Sequence, residues 1–316
     1  MKYFIAGGAG FIGSEMAHKL WNEGHEIIIY DNLSSGNIKL IEDLIHKERF
    51  YFYKADIKDL KTLVECMQGC DAVLHFASNA DISKAINDPT IDFYEGTLLT
   101  QNILEAMRIN GIKEIIYASG SGVYGDNLGC EPVDEDFSPM APISPYGASK
   151  LAGEAMISAY CHMFDIHSRV YRFANVIGKN STHGILKDFI AKLKENPTKL
   201  YILGDGKQTK GYIHVSDILT GIEKTKDSKC YGIPYKYDYF NLAPDGLITV
   251  NRIAQMVMEE MGLRLVIFEY SGKTSWKGDV ANIEMSSKKA RSYGWQPQFT
   301  TEQAVRKSIR EMLGKE

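Results

Sequence analysis

Gly7-Gly8-Ala9-Gly10-Phe11-Ile12-Gly13 is the stretch that decides the fold. It follows the apolar run Lys2-Tyr3-Phe4-Ile5-Ala6 and opens an amphipathic stretch over 12–23, so it reads as strand, glycine turn and helix. Glycines at 7, 10 and 13 let backbone N–H groups approach a pyrophosphate at the helix N-terminus, where the dipole favours negative charge. A second strand-like run, 26–30, ends in Asp31, at the distance where an acidic residue meets a ribose. A glycine triplet alone is weak evidence. The order strand, glycine turn, helix, strand, acid makes it a dinucleotide site.

The same rhythm continues outward. Strand-like runs at 50–54, 71–76, 114–119 and 167–173 alternate with helix patterns at 39–47, 58–67, 91–109 and 145–163. Ser144-Pro145 marks the start of the last helix, a cap residue with proline at the first helical position. Short apolar strands separated by helices predict a parallel sheet covered on both faces. The expected class is therefore α/β, a Rossmann doubly wound parallel sheet. After about residue 175 the rhythm loosens into helix patterns at 184–195, 216–225, 249–261 and 301–313 with short strands near 200–203, 239–242 and 264–268. This predicts a dinucleotide-binding domain over 1–175 and a smaller C-terminal α+β substrate lobe over 176–316. The boundary is soft, because later chain can return to the sheet.

Composition narrows the function classes. The chain has 316 residues, 44% hydrophobic and 24% charged, with net charge −4, which suits a globular enzyme and not a nucleic-acid surface. No apolar run approaches the ~18 residues of a membrane span, and the N-terminal apolar run is too short for a signal peptide. Five scattered cysteines without a CxxC suit reduced thiols and a cytoplasmic location. Eight histidines without metal-ligand spacing predict no metal.

Asp31 carries a further inference. Its carboxylate can accept from both ribose hydroxyls of NAD and would repel a 2′-phosphate, and Asn32 supplies no arginine, so NAD is favoured over NADP. Asp56, closing the third strand, either flanks the adenine or caps a helix. Ser144-Pro145-Tyr146-Gly147-Ala148-Ser149-Lys150 adds a Tyr-x-x-x-Lys pair on one face of a helix. A tyrosine of ordinary pKa near ~10 is a poor base at neutral pH. A neighbouring ammonium and a positive nicotinamide favour its phenolate, which can then take a proton from a sugar hydroxyl as hydride leaves for NAD.

These motifs resemble the extended short-chain dehydrogenase/reductase family, and within it the UDP-glucose 4-epimerase group, nearly end to end. The matching segments are 7–13, Asp31-Asn32-Leu33-Ser34-Ser35-Gly36-Asn37, His75-Phe76-Ala77-Ser78, Val123-Tyr124-Gly125, 145–150, 171–178 and Trp276-Lys277-Gly278-Asp279-Val280. The resemblance implies Phe11 and Ile12 beside the pyrophosphate and Asp31, Asn32, Ser34, Ser35, Gly36 and Asn37 around the adenosine ribose. It places Asp56 and Ile57 at the adenine, and Phe76, Ala77, Ser78, Ser119 and Phe173 around the nicotinamide end. Tyr146 and Lys150 would act on the sugar and hold the nicotinamide ribose. Asn175, His183, Leu203, Lys210 and Asp279 would bind a nucleotide-diphosphate sugar, a UDP-sugar first. Reversible oxidation at C4 through a 4-keto sugar, and a homodimer through the helices at 91–109 and 145–163, follow from the same resemblance.

Two glycines depart from the family pattern. Gly120 stands where a serine or threonine usually assists proton transfer, leaving Ser121 or Ser119 as substitutes. Gly96 stands where asparagine is usual, and Ile82-Ser83-Lys84 replaces an expected arginine. A net-redox dehydrogenase, reductase or dehydratase uses the same pair, although Gly120-Ser121-Gly122 offers a dehydratase no acid. A binding protein with weak catalysis is the alternative from another class.

Overall fold

A computed structural model describes the whole chain except residues 80, 127–130, 228–235, 273–277, 279 and 281. The chain opens with β1 (Lys2–Ala6), α1 (Phe11–Asn22), β2 (Glu26–Asp31), β3 (Phe50–Lys54), α2 (Leu60–Cys66), β4 (Ala72–His75), α3 (Leu98–Asn110), β5 (Glu114–Gly120), α4 (Pro145–Phe164) and β6 (His167–Phe173). It continues with β7 (Asn175–Ile177), α5 (Ile185–Glu195), β8 (Lys199–Ile202), β9 (Thr209–Lys210), β10 (Tyr212–His214) and α6 (Val215–Thr225). The last elements are β11 (Tyr237–Leu242), β12 (Ile248–Thr249), α7 (Val250–Glu260), β13 (Ile267–Tyr270), β14 (Asn282–Ile283), α8 (Lys288–Ser292) and α9 (Thr301–Met312). No helix among the described residues is long and apolar enough to cross a membrane.

The main sheet has seven strands in the order β11-β6-β5-β4-β1-β2-β3. The pairings of β1 with β2 and β4, of β2 with β3 and of β4 with β5 are parallel. Strand order reverses beside β1, the switch point at which open α/β sheets bind ligands. The edge strand β3 is largely exposed, whereas the inner strands β1, β2 and β4 are buried on both faces. That is why apolar runs without alternation were their signature.

Contacts divide the chain into two compact units. The first holds Met1–Val123, Pro145–Arg172 and Lys226–Phe240, and the second Tyr124–Ser144, Phe173–Thr225 and Asn241–Glu316. In the first, Phe4, Ile28, Val73 and Ile115 of the sheet pack with Ile103 and Met107 of α3 and Ile157 of α4. In the second, Phe189, Leu193, Leu200, Ile253, Val257 and Val305 join α5, α7 and α9 to β8.

Two expected helices differ. The predicted helix at 39–47 is a single 3-10 turn, Ile38–Leu40, followed by further turns. Bonds from Leu44 N–H to Ile41 and Lys47 N–H to Leu44 mimic helical apolar spacing, while positive φ at His46 and Arg49 stops a helix from propagating. The predicted helix at 91–109 begins at Leu98. Before it lies a π-type turn, Phe93–Thr97, in which Glu95 leaves helical geometry.

Candidate active site

β1 delivers the chain to Gly7, whose φ of +77° suits glycine and whose N–H donates to the Tyr30 carbonyl at 3.0 Å. A Cβ on Gly13 would collide with the Gly7 carbonyl, so α1 can sit this close to β1 only with glycine there. α1 has Gly10 at its N-cap, no side-chain cap and no acid in its first turn. Its leading N–H groups are therefore left for an anion. These features fit a dinucleotide pyrophosphate beside Phe11 and Ile12.

Asp31, only 8% exposed, ends β2 against this turn. Its carboxylate accepts from Ala9 N–H at 3.0 Å and Leu33 N–H at 2.8 Å, and burial pushes its pKa up. A Cβ on Gly36 would meet the same carboxylate, while Asn37 N–H donates to Ala9 C=O at 2.8 Å. Asn32 turns back to donate to Asp56 at 3.1 Å, and its own side chain accepts from Ser34 N–H. Asp56 also accepts from Lys58 N–H, whereas Ile57 is buried. Segments 31–37 and 56–57 thus form one rim beside the glycine turn. A hydrogen bond from Ser35 is absent among the described residues.

The Tyr146 and Lys150 side chains lie one turn apart on α4. Lys150 is 3% exposed and donates to the Ala118 carbonyl at 2.8 Å. Its Nζ lies 5.6 Å from the Tyr146 ring centre and 5.2 Å from that of Tyr117. Burial lowers its pKa to about 8, against the pull of Asp92 and Glu154. Burial pushes Tyr146 up to about 12, while the Ser78 side chain pulls it down. Phe76 and Ala77 lead from β4 to Ser78, with Phe76 N–H donating to Ala6 C=O at 2.9 Å. Ala77 lies directly against Gly7. The glycine turn, the segment after β4 and the start of α4 are therefore brought together within one unit.

The two serine substitutes separate. Ser119 is buried, and its hydroxyl donates to Glu154 at 2.5 Å. Glu154 in turn receives Arg172 through Nε at 3.0 Å and Nη2 at 2.7 Å. Ser121 lies in a 3-10 turn, Ser121–Val123, in which a Cβ on Gly122 would just reach Gly147, and its hydroxyl has no protein partner among the described residues. Gly96 packs so closely on α4 that a Cβ would overlap the Ser149 hydroxyl.

A layer of buried polar groups behind the pair escaped sequence reasoning. His75 bonds Thr100 at 3.1 Å, and burial lowers its pKa to about 3. Thr100 donates to Gly96 C=O at 3.1 Å. Asn79 donates to Asp92 at 2.9 Å, leaving the other Asp92 oxygen buried and unpartnered. A histidine ending an apolar strand, and a glutamate four residues after Lys150 on the same helix, were the available signals.

The remaining expected residues lie in the second unit. Phe173 is buried, and Asn175 donates through Nδ2 to Gly211 C=O at 3.2 Å. That brings Asn175 next to Lys210 on β9, which pairs with β12 and β14. Leu203, exposed after β8, accepts from Gln208 at 3.0 Å, on the same short stretch. His183 sits apart on the loop before α5, beside Thr182. His214 is a satisfied strand histidine between Ser216 and Glu311. Asp279 lies outside the described residues. No cluster that could hold a metal occurs among the described residues.

A family model described as "NAD dependent epimerase/dehydratase family" matches residues 3–227. A Methanocaldococcus jannaschii protein provisionally named UDP-glucose 4-epimerase is 32% identical, over 96% of this chain and 96% of its own length. A crystal structure of a UDP-galactose 4-epimerase is 33% identical with TM-score 0.87, covering 100% of this chain and 99% of that one. A Thermus thermophilus UDP-glucose 4-epimerase, solved in complex with NAD, is 26% identical with TM-score 0.87 and covers 99% of both chains. The family model and these likenesses show that the chain belongs to the NAD-dependent epimerase/dehydratase family of enzymes, and its cofactor is NAD.

Proposed function

We propose that the enzyme epimerises C4 of a nucleotide-diphosphate sugar, a UDP-hexose first, through a 4-keto sugar. The observation that carries this reading is Lys150, buried beside Tyr146 where β4 and the glycine turn converge. Tyr146, as phenolate, takes the C4 hydroxyl proton. Lys150, with a pKa of about 8, is mostly protonated at neutral pH and offsets the phenolate charge. Bound NAD supplies the acceptor for the C4 hydride and its donor on return. Ser121 is the proposed replacement for the hydroxyl missing at Gly120, steadying the sugar oxygen. Asn175, Lys210, Leu203, His183 and Asp279 are the proposed grip on the diphosphate and base, so the keto sugar can turn over without leaving. A cytoplasmic homodimer through α3 and α4 belongs to the same reading, and sedimentation measures it.

The test is proton NMR of products from a panel of UDP-, GDP-, CDP- and dTDP-sugars, with and without added NAD. A C4 epimer without net NADH is the expected result. Tyr146→Phe should lower turnover by on the order of a hundredfold or more while NAD stays bound. Accumulating NADH, or a stable keto sugar, would replace the epimerase reading with a net-redox or dehydratase one.

A further inference from the structure

We propose that Tyr117, on β5, positions the Lys150 ammonium by carrying it over the face of its ring. The proposal rests on the use of Lys150 argued above and names the group that keeps this ammonium charged and in place. Lys150 is 3% exposed, yet only one of its three N–H donors has a hydrogen-bond partner among the described residues, the Ala118 carbonyl at 2.8 Å. Glu154, the carboxylate one turn on along α4, is taken by Arg172 and Ser119 instead. What remains is aromatic. Lys150 Nζ lies over the Tyr117 ring, 5.2 Å from its centre, and 5.6 Å from the centre of Tyr146. Both distances are inside the ~6 Å reach of cation–π attraction. Tyr146 is the reacting group and changes charge during the cycle. Tyr117 is 1% exposed, and burial holds its phenol far above the ordinary pKa, so its ring stays neutral.

Three elements hold that ring still. Tyr117 and Ser119 are two apart on β5 and share a face, and Ser119 donates to Glu154 at 2.5 Å, which clips the strand to α4. On α4, a Cβ at Gly153 would collide with the Tyr117 hydroxyl and touch that of Thr100, so glycine there lets the ring reach the helix. On β4, the His75 ring packs against Tyr117 with centres 5.4 Å apart. Lys150, Gly153 and Glu154 lie on one face of α4 by their spacing. That face presents an ammonium, a gap and a carboxylate to Tyr117, Ala118 and Ser119.

An electron-rich ring face favours the protonated lysine, so weakening it lowers the Lys150 midpoint. The other charged or titratable groups around Lys150 are Tyr146 and Glu154 on α4, Asp92 before the π-type turn and His75 on β4, with Arg172 on β6 paired to Glu154. His75 is neutral, its pKa lowered by burial to about 3. None of these is altered when only the electrons of the ring at 117 change. Tyr117 is therefore a positioning residue acting through Lys150, while Ser121 remains the candidate facing the sugar.

The experiment replaces Tyr117 by phenylalanine and by mono-, di- and trifluorinated phenylalanine. These keep the shape of the ring and progressively withdraw negative charge from its face. The NAD-loaded proteins carry lysine labelled with ¹³C at Cε, and the Lys150 resonance is assigned by its loss in Lys150→Met. Tyr117→Phe should keep the wild-type Lys150 midpoint. The fluorinated rings should lower it stepwise, by on the order of one pH unit for the trifluorinated ring. The alkaline fall in UDP-galactose turnover should move down with it. A ring that only fills space gives no such series, and a Lys150 midpoint constant across it overturns the proposal. Tyr117→Leu removes the ring altogether. Its midpoint should fall at least as far as with the trifluorinated ring, and an unchanged midpoint there overturns the proposal as well. Because the titration needs no substrate, inactivity on UDP-galactose would count against the epimerase reading alone.

Discussion

At the residue scale, Lys150 is where burial and function conflict. Its ammonium is 3% exposed, and its pKa of about 8 records the cost of keeping a charge there. The carbonyl of Ala118 and the Tyr117 ring repay part of that cost. Lys150→Met removes the charge and keeps much of the packing volume. We expect turnover to fall by on the order of a hundredfold or more. The thermal midpoint at pH 7 should stay within a few degrees of wild type or rise. A steep drop in calorimetry would make Lys150 structural first. The pair itself was legible in the sequence, because residues four apart on a helix share a face and only chemistry had to be added. Asn79 and Asp92 were not, because they pair with each other across thirteen residues of chain. Arg172 and Glu154 form a pair with side chains each 3% exposed, across an α4–β6 separation that no local pattern announces.

At the element scale, the π-type turn before α3 is explained by one contact. Gly96 sits where a side chain would overlap the Ser149 hydroxyl, so the helix reaches α4 only by opening its first turn around Glu95. The glycine that looked like a lost functional asparagine is thus also a packing device. Gly96→Ala should destabilise by about 1–3 kcal/mol, the usual cost of overpacking. Ser149→Ala should recover most of that in the double variant, since Gly96 Cβ would meet Ser149 Cβ at an ordinary 3.4 Å. Urea titrations of the four proteins give the coupling, and additive losses would refute the contact. Strands were the legible elements, since burial on both faces leaves an apolar signature. The stretch at 39–47 carried helical spacing into a region of turns because Ile41 and Leu44 are buried there without a helix. The strand expected at 264–268 forms at Ile267–Tyr270, where its register with Lys199–Ile202 decides the boundaries.

At the scale of the whole molecule, buried titratable groups set how stability follows alkaline pH. Lys150 has a folded pKa of about 8 against an ordinary 10.5, so between those values the unfolded chain holds the proton and the folded one does not. Stability must then rise with pH, by on the order of 1 kcal/mol between pH 8 and 9. Cys70 works in the opposite sense. Burial pushes its thiol from 9.0 to about 12, so above pH 9 the unfolded chain loses a proton that the folded chain keeps, and stability falls. Above pH 10 the phenols of buried Tyr117 and half-buried Tyr146 and Tyr237, all held above their ordinary value, add to the fall. Exposed lysine pairs such as Lys19–Glu23 are screened and contribute little to this curve. The unfolding free energy should therefore pass through a maximum near pH 9, measured by urea titration at intervals from pH 7 to 10.5. Lys150→Met should erase the rise below the maximum, and Cys70→Ala should carry the decline toward pH 10. A wild-type curve that falls steadily from pH 8 would mean that Lys150 keeps its proton in the folded protein and that its burial is fully compensated by Asp92 and Glu154.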